Sequence, residues 1–258
     1  MKPLNALLGL LALVALASCA TVPHSQVLRI GTSSTLPPVV FEQDGKLAGL
    51  EVAMAEVIGK RLKRQVKWEV MPFTDLIPAL ERGDIDVIMA GMSITDRRAR
   101  RVLFTEPYLQ AGQMLMFRRS DLGTLNSTGA AHQLGRAFAV QAGSTGEGFV
   151  LHEFPSARIF RFDSTPDMVA ALDQKKVDYL VQDAPAIWYY SMQQDGGTTD
   201  RLAFYRYLTH EQLAWAVGRE DGQLQQQLNS VLAEMKRDGT LNNLISTWMP
   251  VRTVLEDR

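Results

Sequence analysis

Two segments of this chain place charged and hydroxyl side chains directly after a short apolar strand. The first covers residues 79–89 and leads into Gly91-Met92-Ser93-Ile94-Thr95-Asp96-Arg97-Arg98. The second, residues 171–181, repeats the order of helix end, tight turn and apolar strand, and Asp183 follows it. One half of the molecule would then offer a guanidinium with hydroxyls, and the other a carboxylate. Opposed charges of this kind suit a zwitterion such as an amino acid, although an echo of helix, turn and strand also arises by chance in α/β proteins.

The elements that must position these residues form two α/β cycles. Apolar residues recur at helical spacing over residues 47–62, and short apolar runs bounded by turn residues predict the strands. The first cycle has strands at 27–31, 66–70 and 85–89, with helices at 47–62 and about 74–82. The second has strands at 137–140, 159–162 and 179–181, with helices from 144, at 166–174 and at 184–192. Alternating strands and helices predict a mostly parallel sheet in each half.

Two extended apolar segments, residues 113–117 and 213–217, would cross between the halves as a two-strand hinge. Helices predicted at 220–237 and 241–249 follow, and Gly239 and Pro250 end them. The first lobe would therefore be discontinuous, comprising residues 27–113 and 217–258, and residues 114–216 would form an inserted second lobe.

Residues 1–18 have the features of an export signal. Lys2 precedes an apolar run at 4–16, too short to span a bilayer as a mature helix, and Leu16-Ala17-Ser18-Cys19 ends it. These four residues resemble a bacterial lipobox, in which cleavage precedes the Cys and that Cys is lipidated. Cys19 is the only Cys, and an exported thiol would otherwise stay unpaired. We expect a lipid anchor at Cys19, a linker over 19–26 and, from Ala20, the outer membrane in a Gram-negative source; a plain cleaved signal is the alternative.

Composition and charge argue against several kinds of partner. The 27 basic side chains less Lys2 leave 26 against 28 acidic ones, so no net charge attracts nucleic acid. The four His, at 24, 132, 152 and 210, lack metal-ligand spacing. Gly143, Gly146 and Gly148 do not follow the G-x-G-x-x-G order of a dinucleotide site. We therefore expect no cofactor, no metal and no nucleic acid, and a monomer.

Motifs along nearly the whole mature chain resemble a known family. They are Arg29-Ile30-Gly31-Thr32, Gly49-Leu50-Glu51-Val52, residues 73–80, residues 91–98, Phe104-Thr105-Glu106-Pro107-Tyr108 and Gly143-Ser144-Thr145. In this order they resemble the type II periplasmic solute-binding proteins of polar amino-acid ABC transporters. The resemblance implies two α/β lobes around a hinge, a periplasmic location, capture of an amino acid, and delivery to an ABC permease rather than catalysis.

The resemblance also implies a role for particular residues. Arg98 is similar to the arginine that clamps the ligand α-carboxylate, for which a planar guanidinium is suited because it donates two parallel hydrogen bonds. Ser93 matches a hydroxyl beside it, and Gly91 matches a residue whose backbone faces the ligand. Thr145, at a predicted helix start, matches a second group for the carboxylate. Asp183 matches the carboxylate that receives the α-ammonium.

The expected side-chain end of the site departs from the family pattern. Phe73 matches an aromatic wall. Ser33 stands where the binders of cationic amino acids have an aspartate, Leu36 replaces an aromatic, and Ala90 replaces a serine. Because no carboxylate remains at this end, we expect a ligand with a neutral side chain.

Structural roles for the same residues remain open from the sequence. Arg98 could be a solvated charge, because Arg97, Arg100 and Arg101 flank it. Asp183 could cap the helix that follows. Phe73 could belong to the core.

Two enzyme interpretations and one signalling interpretation compete with transport. Ser144 lies in a loop that resembles a nucleophile elbow, but no motif places a His to serve it. Cyclohexadienyl dehydratase is built on the same binding fold, yet its catalytic glutamate would fall at Ala186 and its lysine at Gln113. A ligand sensor for a membrane signalling protein would share every binding feature.

Overall fold

The computed structural model describes residues 26–124, 128–192, 200–204 and 206–249. The predicted signal at 1–18 and the lipidation site Cys19 lie outside these ranges. The strands are β1 Val27–Thr32, β2 Thr35–Leu36, β3 Val40–Gln43, β4 Lys46–Ala48, β5 Gln65–Val70, β6 Val87–Ile88, β7 Leu103–Phe104, β8 Leu109–Ala111, β9 Gln113–Arg118, β10 Ala137–Gln141, β11 Arg158–Phe162, β12 Tyr179–Asp183, β13 Arg201–Ala203, β14 Glu211–Leu213 and β15 Ala216–Val217.

The helices complete the α/β pattern. They are α1 Leu50–Leu62, α2 Leu76–Glu81, α3 Asp96–Ala99, α4 Thr128–Ala131, α5 Thr145–Glu153, α6 Thr165–Asp173, α7 Ala184–Met192, α8 Gly222–Arg237 and α9 Thr240–Trp248, with short 3₁₀ turns at Phe73–Asp75 and Arg119–Asp121. Among the described residues, no helix is long and apolar enough to cross a bilayer.

Two five-stranded sheets form the centres of two lobes. The first has the order β5-β1-β6-β15-β7 and the second β11-β10-β12-β9-β13. In the first sheet β15 runs antiparallel to both of its neighbours, and in the second β9 does so. The other ladders given for these sheets, β1 with β5 and β6 and β10 with β11 and β12, are parallel. The predicted two-lobed, mostly parallel α/β architecture is confirmed.

The repeated helix–turn–strand pattern is a real structural repeat. Gly83 and Lys175 hold equivalent turn positions with positive φ angles of 74° and 59°. Three residues after each of these turn positions, an aspartate accepts a hydrogen bond from a strand of its own sheet. Asp86 accepts the backbone N–H of Arg29 at 2.7 Å, and Asp178 accepts that of Ala137 at 2.9 Å. The two lobes therefore use the same local device to attach this loop to the sheet.

The predicted position of the hinge is wrong by a few residues. Residues 113–118 form β9, a buried strand inside the second sheet, and residues 216–217 form β15 inside the first. The lobes are connected instead by β8 and β14, which pair antiparallel with Gln110 opposite Gln212. A continuous apolar run is typical of a strand buried on both faces, and the sequence pattern does not distinguish it from an apolar crossing.

Aromatic contacts join the lobes on one side of the cleft. Phe41 of β3 lies 5.8 Å from Tyr189 of α7 in the second lobe and 6.2 Å from Trp248 of α9, measured between ring centroids. Phe41 is 9% exposed. The contact with Tyr189 joins the two lobes directly.

Candidate ligand-binding site

A small cavity lies between the lobes, where loops after strands of both sheets meet. Its volume is about 10 Å³, room for about one water molecule, and its walls come from both lobes. The lining residues are Leu36, Phe73, Ala90, Gly91, Ser93, Arg98, Gln141, Ser144, Thr145, Gln182 and Asp183. Of the predicted site residues only Ser33 is not in this lining; it is buried nearby, where its hydroxyl accepts from Thr35 at 3.4 Å.

Arg98 is a buried cation at the lobe interface. The short helix α3 carries it, and the Thr95 hydroxyl caps that helix by accepting the Arg98 N–H at 3.2 Å. Arg98 is 5% exposed, whereas Arg97 and Arg100 are exposed. Its Nη1 donates to the Ser93 carbonyl at 2.8 Å and its Nη2 to the Gly143 carbonyl of the other lobe at 3.2 Å. The interpretation of Arg98 as a solvated helix charge is therefore wrong.

The surroundings of the Arg98 guanidinium keep it charged. Burial lowers its pKa to about 10, and nearby Asp183 opposes that shift. The Phe73 ring lies 5.2 Å from the guanidinium carbon, a cation–π distance. Phe73 thus supports the cation and also packs against the hydrophobic core of the first lobe.

Asp183 ends strand β12 inside the opposite wall. It is 6% exposed, and its Oδ1 accepts from Gln113 Nε2 at 2.6 Å. Burial raises the pKa of Asp183 to about 8, with Glu211 adding to the shift and Gln113 and Arg98 opposing it. Among the described residues, the Asp183 carboxylate accepts a hydrogen bond from Gln113 and from no N–H at the start of α7. The geometry therefore does not support the interpretation of Asp183 as a helix cap.

The Ser93 and Thr145 hydroxyls meet on a carboxylate that the sequence analysis did not select. Ser93 Oγ donates to Glu211 Oε2 at 2.5 Å, and Thr145 Oγ1 donates to the same oxygen at 2.8 Å. Thr209 Oγ1 donates to Glu211 Oε1 at 2.7 Å. Glu211 belongs to hinge strand β14, two residues before the predicted crossing began. A charged residue two positions before an apolar run was the available signal.

Gly91 holds its place through backbone geometry. Its φ of 62° favours glycine, and a Cβ there would lie 2.5 Å from Leu36 Cδ2. Its N–H donates to Glu51 Oε2 at 2.9 Å, and the Tyr108 hydroxyl donates to Glu51 Oε1 at 2.9 Å. Burial raises the pKa of Glu51 to about 8. Glu51 was noted in the sequence only as part of a motif, and the structure shows that it fixes the loop before Ser93.

An amide relay forms the wall between the two lobes. The Asp183 N–H donates to Gln182 Oε1 at 3.0 Å, so Gln182 Nε2 points to Gln141 Oε1 and to the Thr165 hydroxyl, both at 3.1 Å. Gln141 Nε2 then makes only long contacts, 3.4 Å to Thr35 Oγ1 and to the Asp163 carbonyl. Gln141 therefore lines the cavity with an amide whose N–H groups are held only by these long hydrogen bonds.

The residues tied to enzyme chemistry have other surroundings. Ser144 caps α5 by accepting the Glu147 N–H at 3.1 Å, a role that serine commonly has before a helix. Gln113 Nε2 bonds Thr145 and Asp183. Ala186 is fully buried. Within the described ranges, no group of three His, Cys, Asp or Glu could hold a metal ion.

Comparison with known proteins decides the family. The description "bacterial extracellular solute-binding proteins, family 3" matches residues 28–251. The chain belongs to this family. The L-arginine-binding protein of Pseudomonas aeruginosa is 30% identical, with 91% of this chain and 92% of that protein covered. ABC transporter arginine-binding protein 1 of Escherichia coli is 26% identical over 93% of this chain and 98% of that protein. These relatives are substrate-binding proteins rather than enzymes.

Solved structures of this family 3 type match the fold closely. An ancestral arginine-binding protein bound to arginine has a TM-score of 0.81 and 31% identity, covering 87% of this chain and 98% of its own. The ancestral amino acid-binding protein AncCDT-1, a precursor of cyclohexadienyl dehydratase, also has a TM-score of 0.81, with 28% identity over 86% of this chain and 95% of its own. Family 3 membership makes this chain a periplasmic binding protein of amino-acid ABC transport.

Proposed function

We propose that this family 3 protein captures an α-amino acid with a neutral side chain and delivers it to an ABC importer. The observation that carries the proposal is that a buried guanidinium, of Arg98, and a buried carboxyl group, of Asp183, line one small interlobe cavity. A buried charge without a partner is costly. An amino acid offers the missing partners, a carboxylate for the guanidinium and an ammonium for the aspartate.

The neutral side chain is supported by the composition of the cavity wall. Asp183 is the one carboxylate among the lining residues, and the ammonium would occupy it. Glu211 already accepts three hydroxyl hydrogen bonds. At the other end, Leu36, Phe73 and Ala90 are apolar. A guanidinium or ammonium side chain, which is donor only, would lack an acceptor there.

Two arginine-binding relatives make selectivity the sharpest test. We expect lysine and arginine to bind at least tenfold more weakly than the best neutral amino acid, a difference of about 1.4 kcal/mol. Thermal-shift screening of the twenty amino acids, followed by competition calorimetry, measures this. Arg98→Ala serves as the control that should lose every ligand. Preference for arginine or lysine would overturn the neutral side chain while leaving amino-acid binding intact.

We also propose that the mature protein is a monomer held at the membrane by lipid on Cys19. The support is the Leu16-Ala17-Ser18-Cys19 sequence. Mass spectrometry of the N-terminal peptide from membranes should find acyl chains on Cys19, and Cys19→Ser should release the protein into the soluble fraction. An unmodified N-terminus beginning at another residue would contradict the anchor.

A further inference from the structure

One carboxylate gathers hydroxyl groups from three parts of the molecule. Ser93 comes from the first lobe, Thr145 from the second lobe, and Thr209 lies just before hinge strand β14, which carries Glu211 itself. Ser93 also pairs as a β-bridge with Leu213 of the same strand. Glu211 is thus the point where both lobes and the hinge meet.

The direction of these hydrogen bonds is fixed by chemistry. An ionised carboxylate only accepts, so each hydroxyl that contacts it must point its proton at it. Thr145 Oγ1 also accepts a hydrogen bond from Gln113 Nε2 at 3.1 Å, which leaves it little capacity to bond a ligand. The Ser93 oxygen, with its proton committed to Glu211, has lone pairs free and lines the cavity. Ser93 can therefore accept a hydrogen bond from a ligand but not donate one.

This proton arrangement changes the role expected of Ser93. The family resemblance placed the Ser93 hydroxyl beside the ligand carboxylate, but a hydroxyl limited to accepting repels an anion and suits a cationic donor. The α-ammonium of an amino acid has three N–H donors and needs more acceptors than the Asp183 carboxylate alone.

We propose that Glu211 is a positioning residue for ammonium recognition: it orients the Ser93 hydroxyl so that its oxygen, together with Asp183, receives the ligand α-ammonium. The proposal rests on the proposed function, because it assigns a group within the same amino-acid site. Glu211 acts through Ser93, and its own oxygens stay engaged with the hydroxyls of both lobes. A simple structural tie between lobes would use the same contacts but would not select for an amino group.

The test compares ligands that differ only in the amino group. The probes are L-glutamine with 4-carbamoylbutanoate, and L-leucine with 4-methylpentanoate. Calorimetry measures both pairs on the full mature chain, on Glu211→Gln, which keeps size and shape, and on Thr209→Val. Circular dichroism verifies that each variant is folded. Thr209→Val is the matched control, because it removes one bond to Glu211 and leaves the carboxylate and Ser93 in place.

We expect Glu211→Gln to bind the amino acid at least tenfold more weakly and the des-amino acid less than threefold more weakly. Thr209→Val should keep the wild-type ratio of amino-acid affinity to des-amino-acid affinity. A double-mutant cycle adds Ser93→Ala. The loss of amino-acid affinity that Ser93→Ala causes in the wild type should largely disappear in the Glu211→Gln background, since Glu211 acts through Ser93.

Three results would overturn the proposal. If Glu211→Gln weakened the binding of both ligands of a pair equally, Glu211 would have only a structural role in joining the lobes. Additive effects of Ser93→Ala and Glu211→Gln would reduce Glu211 to a distant charge. Failure of the wild type to bind any neutral amino acid in the thermal-shift screen would overturn the proposed function as well, whereas wild-type binding with an unchanged ratio of amino-acid to des-amino-acid affinity in Glu211→Gln overturns this inference alone.

Discussion

At the scale of single residues, the site is defined by two buried charges held by different means. Arg98 is anchored by backbone carbonyls of both lobes, and Asp183 by a side-chain amide. The guanidinium stays charged, whereas the carboxyl is poised to gain or lose a proton near neutral pH. Substitution of the two residues should therefore have different consequences.

Arg98→Ala should weaken ligand binding by about 3–5 kcal/mol, because the ligand carboxylate would be desolvated without a partner. Calorimetry on the folded variant measures the loss. Arg97→Ala is the matched control, since Arg97 is exposed on the same short helix and should bind as the wild type does. An Arg98→Ala affinity within threefold of the wild type would contradict the carboxylate clamp.

Asp183→Asn should lower affinity by about 2 kcal/mol or more and make the protein more stable without ligand. The sign follows from the pKa, which folding raises from 3.8 to about 8. Between these values the folded form holds a proton that the unfolded form has lost, so this group lowers the free energy of unfolding as pH rises. Urea denaturation from pH 5 to 8 should show a gain for Asp183→Asn that grows with pH.

Ligand binding should release that proton, because an ammonium beside Asp183 favours its ionised form. Wild-type affinity should therefore rise with pH and level off above about pH 8. The same rise in Asp183→Asn would assign the proton to another group, of which Glu51, with its pKa also near 8, is the obvious candidate.

At the scale of elements, the hinge depends on close backbone approach. Gly112 lies between β8 and β9, and a Cβ there would be 2.0 Å from the Thr209 carbonyl oxygen. Backbone atoms cannot move aside as a flexible side chain can. The close approach of the two connecting segments therefore requires glycine, which has no Cβ, at position 112.

Gly112→Ala should cost about 2 kcal/mol of stability, in the range of other overpacked positions. Thermal unfolding measures it. Gly123→Ala is the control, because a Cβ at Gly123 would have no atom within 4 Å and should leave the melting temperature unchanged. Equal melting temperatures for the two variants would show that the hinge relaxes around the added methyl group.

The sequence predicted elements best where local signals were complete. Helix α7 begins at Ala184, where its pattern placed it, and α5 begins at Thr145, one residue after its predicted start. The strand predicted at 85–89 shortens to Val87–Ile88, because only those residues find parallel partners on β1. Glu211 was missed because its role arises from residues far apart in the chain, and hydroxyl partners of a carboxylate leave no periodic pattern.

At the scale of the whole molecule, contacts beyond the ligand site also join the two lobes. Phe41 joins α7 of one lobe and α9 of the other through aromatic contacts, each worth about 0.5–1.5 kcal/mol beyond area burial. Because closure and binding are coupled, contacts remote from the ligand contribute to affinity.

Phe41→Ala should raise the radius of gyration of the ligand-free protein and weaken amino-acid binding several-fold, because a smaller fraction is closed. Small-angle X-ray scattering with and without ligand measures the first effect, and calorimetry the second. Phe160→Ala, at an exposed phenylalanine of β11, is the control. If Phe41→Ala changed neither the scattering nor the affinity, the site residues alone would hold the lobes together.

The buried Glu51 network gives the protein a built-in optical signal. Trp215 is fully buried and stacks on Tyr108 with ring centroids 5.6 Å apart. Tyr108 bonds Glu51, which in turn holds the Gly91 loop at the cavity wall. We expect the emission of this indole to change when a ligand contacts the Gly91 loop. Intrinsic fluorescence at this tryptophan can therefore record occupancy of the site without any label.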